Sequence, residues 1–462
     1  MGALTMTVQL LLALSLLVII HEFGHYLAAR AFGVRVKKFY LFFDFPMFFT
    51  EPTFALFRAK KVNGKWIFSW FSRKAPQAYD EDETTTEWGI GYFPLGGYCA
   101  IDGMIDESTS SDQLPSEPKP WEFRTKPAWQ RLIIMIGGVF MNVVAAVLIL
   151  GFSHLAFTKA YLPIDNIDEG IYASEYGKFL GFENGDKIIA INGDEVERYE
   201  DVFSAKLFFA KTITVDRNGY HKEIEIPDSI YSYLKNGGVL FSLSNHEVTI
   251  DSLVDGMSAE KAGIHPNSKL VAIDNVEVKS FGQMRDMLDY NKGKTLEFDL
   301  LENGSMYSAN VDIDSTGKIG VFVAQPQYEV KKYTFSSAMK YGWKDAMMTL
   351  YANIKGFGLI FSGKEKARDS LQGPIGIAKV YGPIWDWERF WKLTGIISII
   401  LAFMNILPIP ALDGGHVLLL SIEAITRRKI PDKAMDIIQK IGLLILLALM
   451  IFIIGNDVVN LF

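Results

Sequence analysis

Apolar residues in this 462-residue chain gather in a few long blocks instead of alternating evenly with polar ones. Met6 to Ala29 is almost wholly Leu, Ile, Val and Ala, and similar runs extend from about Leu132 to Phe157, Phe390 to Pro410 and Ile441 to Phe462. About 20 apolar residues cross a bilayer core as a helix, so each block predicts a transmembrane span. Residues 34–100 instead read as strands, with aromatic clusters such as Phe39-Tyr40-Leu41-Phe42-Phe43, and Asn63-Gly64 predicts a hairpin turn. Asp106 to Pro120, rich in Ser, Pro and acidic residues, predicts a solvated loop. From Phe335 to Phe361, Met339, Trp343, Ala346, Leu350, Ile354, Phe357 and Phe361 form a helical stripe, with Lys340, Lys344 and Asp345 on other faces. That pattern predicts an amphipathic helix lying on the membrane outside the third span; the alternative is a helix packed on a soluble domain.

The stretch between the second span and this helix repeats. Gly181-Phe182-Glu183-Asn184-Gly185-Asp186-Lys187-Ile188-Ile189-Ala190-Ile191-Asn192-Gly193 aligns with Gly263-Ile264-His265-Pro266-Asn267-Ser268-Lys269-Leu270-Val271-Ala272-Ile273-Asp274-Asn275, an offset of 82 residues that suits a domain better than a solenoid. The first copy, with its Gly-Asp-x-Ile-x-x-Ile-Asn-Gly string, resembles the core of a PDZ domain. The second lacks the Gly-Asp pair. The resemblance implies peptide binding by strand addition at a sheet edge. A spacer or steric filter without peptide affinity fits the residues equally well.

Composition narrows the rest. Net charge is −7, and no basic block of the nucleic-acid-binding kind is present. Cys99 is the sole cysteine, which excludes an intrachain disulfide and a cysteine-rich zinc site. Arg30, Arg35, Lys37 and Lys38 follow the first span, Lys126 and Arg131 lead into the second, and Arg427, Arg428, Lys429, Lys433 and Lys440 separate the last two. All fall on one side if both termini face the other, so that side is expected to be cytoplasmic and residues from about Lys159 to Trp387 extracytoplasmic. The first span lacks a basic n-region and is expected to be retained.

Inside the first span lies His21-Glu22-Phe23-Gly24-His25. Ionisable side chains in a span are costly and point to function. Positions i and i+4 share a helix face about 6 Å apart along the axis, so both imidazoles can reach one Zn²⁺ while Glu22 holds and deprotonates a water. Catalytic zinc takes three protein ligands. The third span runs into Asn405-Ile406-Leu407-Pro408-Ile409-Pro410-Ala411-Leu412-Asp413-Gly414, where two prolines stop the helix. Backbone freed at membrane depth must line a protein cavity, so the break implies a site. Asp413 is the candidate third ligand; alone it would read as a capping carboxylate.

These two motifs, with PDZ-like domains between them, resemble the site-2 protease family of intramembrane metalloproteases over nearly the whole chain. The resemblance implies that His21, His25 and Asp413 bind zinc, Glu22 is the catalytic base and Asn405 contacts the substrate backbone. It also implies that a Gly-rich strand, Gly91 to Tyr98 with Pro94-Leu95-Gly96-Gly97, pairs with unwound substrate. The implied substrates are single-span segments already trimmed outside, including anti-sigma factors and remnant signal peptides. The PDZ-like pair would be the filter, and the setting the bacterial cytoplasmic membrane. Gly373-Pro374-Ile375-Gly376 matches the family without a derivable role. One departure is Gly137-Gly138-Val139 before Phe140-Met141-Asn142, where the family commonly has Gly-Pro; it bears on local helix geometry.

The expected fold is an α-helical polytopic membrane protein of four transmembrane helices, with a membrane-associated β-rich loop and two extracytoplasmic PDZ-like mixed α/β domains. The expected divisions are 1–30, 31–130, 131–158, 159–245, 246–328, 329–388, 389–415, 416–440 and 441–462. A PDZ scaffold with a purely structural zinc is the rival reading, distinguished by whether Glu22 is dispensable. A membrane-anchored protease acting on soluble substrates is a second rival. The position of His21 and His25 near the cytoplasmic end of their span argues against it.

Overall fold

The computed structural model describes residues 2–459 except 45–52, 63, 74–84, 106–116, 158, 162, 164–166, 168–169, 199–201, 203–204, 236, 244–247, 325–328, 367 and 369–372. The chain forms two compact units, one of Met1–Phe157 with Tyr333–Phe462, the other of Thr158–Lys332.

The first unit contains helices α1 (Gly2–Ala31), α2 (Ala128–Ala156), α3 (Phe335–Phe361), α4 (Pro374–Tyr381), α5 (Trp387–Ile406), α6 (Asp413–Thr426) and α7 (Asp432–Val459). Among the described residues, α1, α2, α5 and α7 are the four helices long and apolar enough to cross a membrane. Helix α1 stops at Gly33, whose φ of 67° lets Val34 N–H reach Ala29 O at 2.8 Å. Helix α5 starts on Asp386, whose side chain accepts Arg389 N–H at 2.9 Å. Residues 416–440, expected as a loop, are instead mostly helical, in α6 and the first turns of α7. The charges there support helix: Asp436 and Lys440 pair at i,i+4, 2.7 Å apart.

Helices α1 and α2 cross where glycines remove the side chains. A Cβ on Gly24 would lie 2.2 Å from Gly137 O, so the backbones meet beside the two histidines. Helix α2 runs unbroken through Gly137-Gly138-Val139, which resolves the departure from the family pattern. Helix α3 has the expected bounds, and its small residues face the other helices. Ala338, Gly342 and Ala346, four residues apart, press on α2; a Cβ on Gly342 would lie 2.6 Å from Gly151 N and from Val147 O. Ala346 packs with Ala146, Leu150 and Ile399, and farther along Phe357 meets Phe403 of α5 at 5.2 Å between ring centroids. Helix α3 therefore lies lengthwise against α2 and α5, packed on helices of membrane-spanning length. Small residues at this spacing allow such close backbone approach.

Five strands follow α1: β1 (Val36–Phe43), β2 (Ala55–Val62), β3 (Lys65–Ser72), β4 (Glu87–Gly91) and β5 (Phe93–Ile101). Their order is β3-β2-β4-β1-β5, with β4 parallel to β1 and β5 antiparallel to it. The predicted hairpin joins β2 to β3, Val62 opposite Lys65, with Gly64 at φ 80°. Its Asn63 lies outside the described residues, as do residues 106–116 of the expected loop. Gly91 to Tyr98 is not one strand, because β4 ends at Gly91 and β5 begins at Phe93. Gly96 and Gly97 lie within β5, at an edge of the sheet. Val34, Val36 and Phe39 share a buried core with Ala29, Ile134, Met135 and Leu420, which fastens the sheet to α1, α2 and α6.

The second unit holds two similar halves. The first contains β7 (Ile171–Ala173), β8 (Lys187–Ile191), β9 (Asp194–Glu195), β10 (Thr212–Arg217), β11 (Tyr220–Glu225) and β12 (Phe241–Leu243). The second contains β13 (Val248–Leu253), β14 (Lys269–Ile273), β15 (Val276–Glu277), β16 (Thr295–Glu302), β17 (Ser305–Asp312) and β18 (Val321–Val323). Each half has its own apolar core. The sequence offset carries β8 onto β14 and β9 onto β15. Both intervening turns have positive φ at two residues, Asn192-Gly193 (53° and 81°) and Asp274-Asn275 (48° and 62°), the backbone of a tight hairpin. The strands that enter and leave the unit, β6 (Lys159–Tyr161) and β19 (Glu329–Lys331), pair with each other.

Candidate metal centre

His21 and His25 project from one face of α1 as their spacing requires, and the break after α5 returns Asp413 to them. Leu407, Pro408 and Pro410 end α5, and α6 restarts at Asp413. The turn is tight enough that a Cβ on Gly414 would lie 2.2 Å from Leu407 O, and one on Gly415 would lie 2.5 Å from Ile409 O. Asp413 does not cap α6. Leu412 is the N-cap, without a side-chain bond, and the Asp413 carboxylate faces the imidazoles.

Oδ2 of Asp413 is 3.1 Å from His21 Nε2 and 3.3 Å from His25 Nε2, and the two nitrogens are 3.3 Å apart. Oδ2 is buried and, among the described residues, takes no hydrogen bond. Three donor atoms at such separations suit a tetrahedral ion with bonds of about 2.0–2.1 Å, whose ligand atoms stand about 3.3–3.4 Å apart. Two imidazoles and one carboxylate also form a known zinc donor set.

The outer nitrogens agree with that reading. His25 Nδ1 lies 2.9 Å from Ile134 O, an acceptor only, so Nδ1 carries the proton and the Nε2 lone pair points inward. His21 Nδ1 is 3.3 Å from Asn142 Nδ2, on a residue only 1% exposed whose Oδ1 has no hydrogen-bond partner among the described residues. Turning that amide over puts its oxygen on Nδ1–H, which satisfies both groups and leaves His21 Nε2 to ligate. Gly138 makes the room: a Cβ there would lie 2.5 Å from His25 Nε2 and 2.6 Å from His21 Cε1. Asn142 and Gly138 have no role in the sequence reading. An Asn within an apolar span was the available signal, because a buried amide in lipid needs a partner.

Asn405 reaches the same point, its Nδ2 3.2 Å from His21 Nε2. A cavity of about 880 Å³ joins the His21, Glu22, His25, Asn405 and Asp413 side chains to β5 from Gly96 to Ile101. The structure thus brings all seven expected site residues to one cavity. Farther along it, Tyr98 donates to Asp44 at 2.6 Å; burial and that carboxylate push the phenol up, so it remains a neutral donor. His416 lines the wall too, outside the donor triangle. His154 is buried and bonds Asp345 at 2.8 Å, His265 pairs with Glu302, His221 is exposed, and His246 lies outside the described residues.

Two histidines one helical turn apart, a carboxylate from a distant helix and a glutamate beside them define a metal-dependent hydrolase site set among apolar helices. Residues 9–61 and 73–449 match the model of Peptidase family M50, and the chain belongs to that family. It is similar to the regulator of sigma E protease of Haemophilus influenzae, 24% identical over 98% of each chain. It is likewise similar to the regulator of sigma-E protease RseP of Escherichia coli, 24% identical over 97% of each. A Neisseria meningitidis protein assigned by name to the zinc metalloproteases is 25% identical over 97% of this chain and 98% of its own. The chain is a zinc metalloprotease of the site-2 type.

Proposed function

We propose that this protein cleaves single-span membrane proteins within or at the edge of the bilayer, with zinc held by His21, His25 and Asp413 and Glu22 as the base. One observation carries the reading: three potential ligands, Glu22, Asn405 and an edge strand line one cavity between helices of membrane-spanning length. Bound there, zinc supplies Lewis acidity, polarising a carbonyl and acidifying water. Glu22 takes the proton of the attacking water and delivers it to the departing amide nitrogen. Asn405 offers its amide to the substrate backbone. The β5 edge holds the peptide extended by strand addition, as a helix must be opened before its backbone can be attacked.

In this reading the basic residues near the end of α1 and between α6 and α7 face the cytoplasm, and both termini and the Thr158–Lys332 unit lie outside. The setting is the bacterial inner membrane. The two halves of that unit are PDZ-like domains that admit only substrates already trimmed outside. The names of the Haemophilus and Escherichia relatives support anti-sigma factors as substrates, with remnant signal peptides a second group. The test is cleavage of a single-span reporter in liposomes by wild type and Glu22→Gln at matched zinc content. Cleavage by wild type alone is expected, and equal cleavage by both removes Glu22 from the mechanism.

A further inference from the structure

Helix α7 is the most exposed of the four long apolar helices, and its buried residues are Gln439, Gly442, Asn456 and Asp457. The first two share a face, three residues apart, and both meet the turn that leads into Asp413. Gln439 Oε1 accepts Ala411 N–H at 2.7 Å, and its Nε2 lies 2.8 Å from His416 Nε2. An amide N–H only donates, which fixes Oε1 on Ala411 and leaves Nε2 to donate to His416. One turn on, Gly442 sits so close that a Cβ would lie 2.3 Å from Pro410 C and O. Ala411 has φ +70°, a conformation that a side chain disfavours, so something must hold it there. Without Gln439, its N–H would lose its acceptor in a half-buried turn beside the carboxylate that faces the histidines.

We propose that Gln439 is a positioning residue for the metal centre: through it α7 locks the Pro410–Ala411 turn and so sets Asp413 against His21 and His25. This rests on the metal reading above. Zinc retention then depends on a span that contributes no ligand. Gln439→Leu removes both hydrogen bonds at similar volume. In the full-length protein in detergent, loaded with zinc and challenged with excess chelator, this variant is expected to release zinc roughly ten- to a hundredfold faster than wild type. Adding Ala411→Gly is expected to recover part of that loss, because glycine adopts positive φ without a Cβ penalty. A role confined to packing gives no such recovery.

Release at the wild-type rate by Gln439→Leu, or faster release that Ala411→Gly leaves uncorrected, overturns the proposal. If Gln439→Leu does not fold, Gly442→Ala presses on the same turn and is expected to speed release as well; an unchanged rate there counts against it equally. His21→Ala is the control for the metal reading. If that variant holds zinc as wild type does, the ion lies elsewhere and both inferences fall, a result distinct from failure of Gln439 alone.

Discussion

The twin halves of the Thr158–Lys332 unit reach one backbone by two chemistries, while the metal centre admits one arrangement. In the first half, buried Asp186 is gripped by Arg217, with Nε and Nη2 each 2.7 Å from a carboxylate oxygen, and it accepts Glu183 N–H at 2.9 Å. At the aligned place in the second half, buried Ser268 meets the Tyr307 hydroxyl at 2.7 Å, which accepts His265 N–H at 3.1 Å. An ion pair has been exchanged for two neutral groups, and the following turn keeps its shape. Both turns use a side-chain oxygen to accept from the neighbouring strand, Asn192 from Thr212 N–H at 3.2 Å and Asp274 from Glu297 N–H at 2.8 Å. A fold needs its polar groups satisfied and is indifferent to how. A metal centre needs particular atoms about 3.3 Å apart, and its neighbours inherit that strictness.

The sharpest break between the two regions is expected at Glu22. Glu22→Gln keeps zinc and loses turnover by about 10²- to 10⁴-fold, read as cleavage rate at matched metal content. Next comes Gly138→Ala, whose Cβ cannot fit beside the imidazoles, so zinc occupancy and turnover should fall together in metal analysis and cleavage assays. Asn142→Ala removes the group that orients His21 and should weaken zinc roughly 10- to 100-fold in a chelator competition. Gly97→Ala meets Tyr40 O at 2.6 Å and Val18 Cγ1 at 2.9 Å. It should reduce kcat/KM on a single-span reporter while zinc content stays unchanged. In the tolerant unit the effects are on local stability alone. Asp186→Ala leaves Arg217 only Glu183 and the Gly181 carbonyl and takes the acceptor from Glu183 N–H; it should cost about 2–3 kcal/mol, against about 1 kcal/mol for Ser268→Ala, read by amide exchange of β8 and β14 in the full chain. Equal losses in the two halves would erase the distinction between them.

Features written in local pattern were legible in the sequence. The long apolar runs, the His-x-x-x-His spacing, the proline break before Asp413 and the repeated strand-turn string each depend on residues close in the chain. The companions of the site were harder to see, because Gly138, Asn142 and Gln439 act through approaches between helices far apart in sequence. The sheet order is of the same kind: β4 inserts between β1 and β2 by a parallel pairing that no turn signal announces. Helix α3 shows a signal read incompletely. Its large apolar residues suggested a membrane-surface face, while Ala338, Gly342 and Ala346 already spelled close packing on another helix. Likewise Lys433 and Lys440 suggested a loop, although charged residues at the water-facing end of a long apolar helix extend it.

The most direct test counts zinc in the purified full-length protein, in wild type and in His21→Ala, His25→Ala and Asp413→Ala. About one tightly held ion per wild-type chain is expected, and its loss, together with reporter cleavage, in each of the three variants. An Asp413→Ala protein that keeps both its zinc and its activity would contradict that expectation.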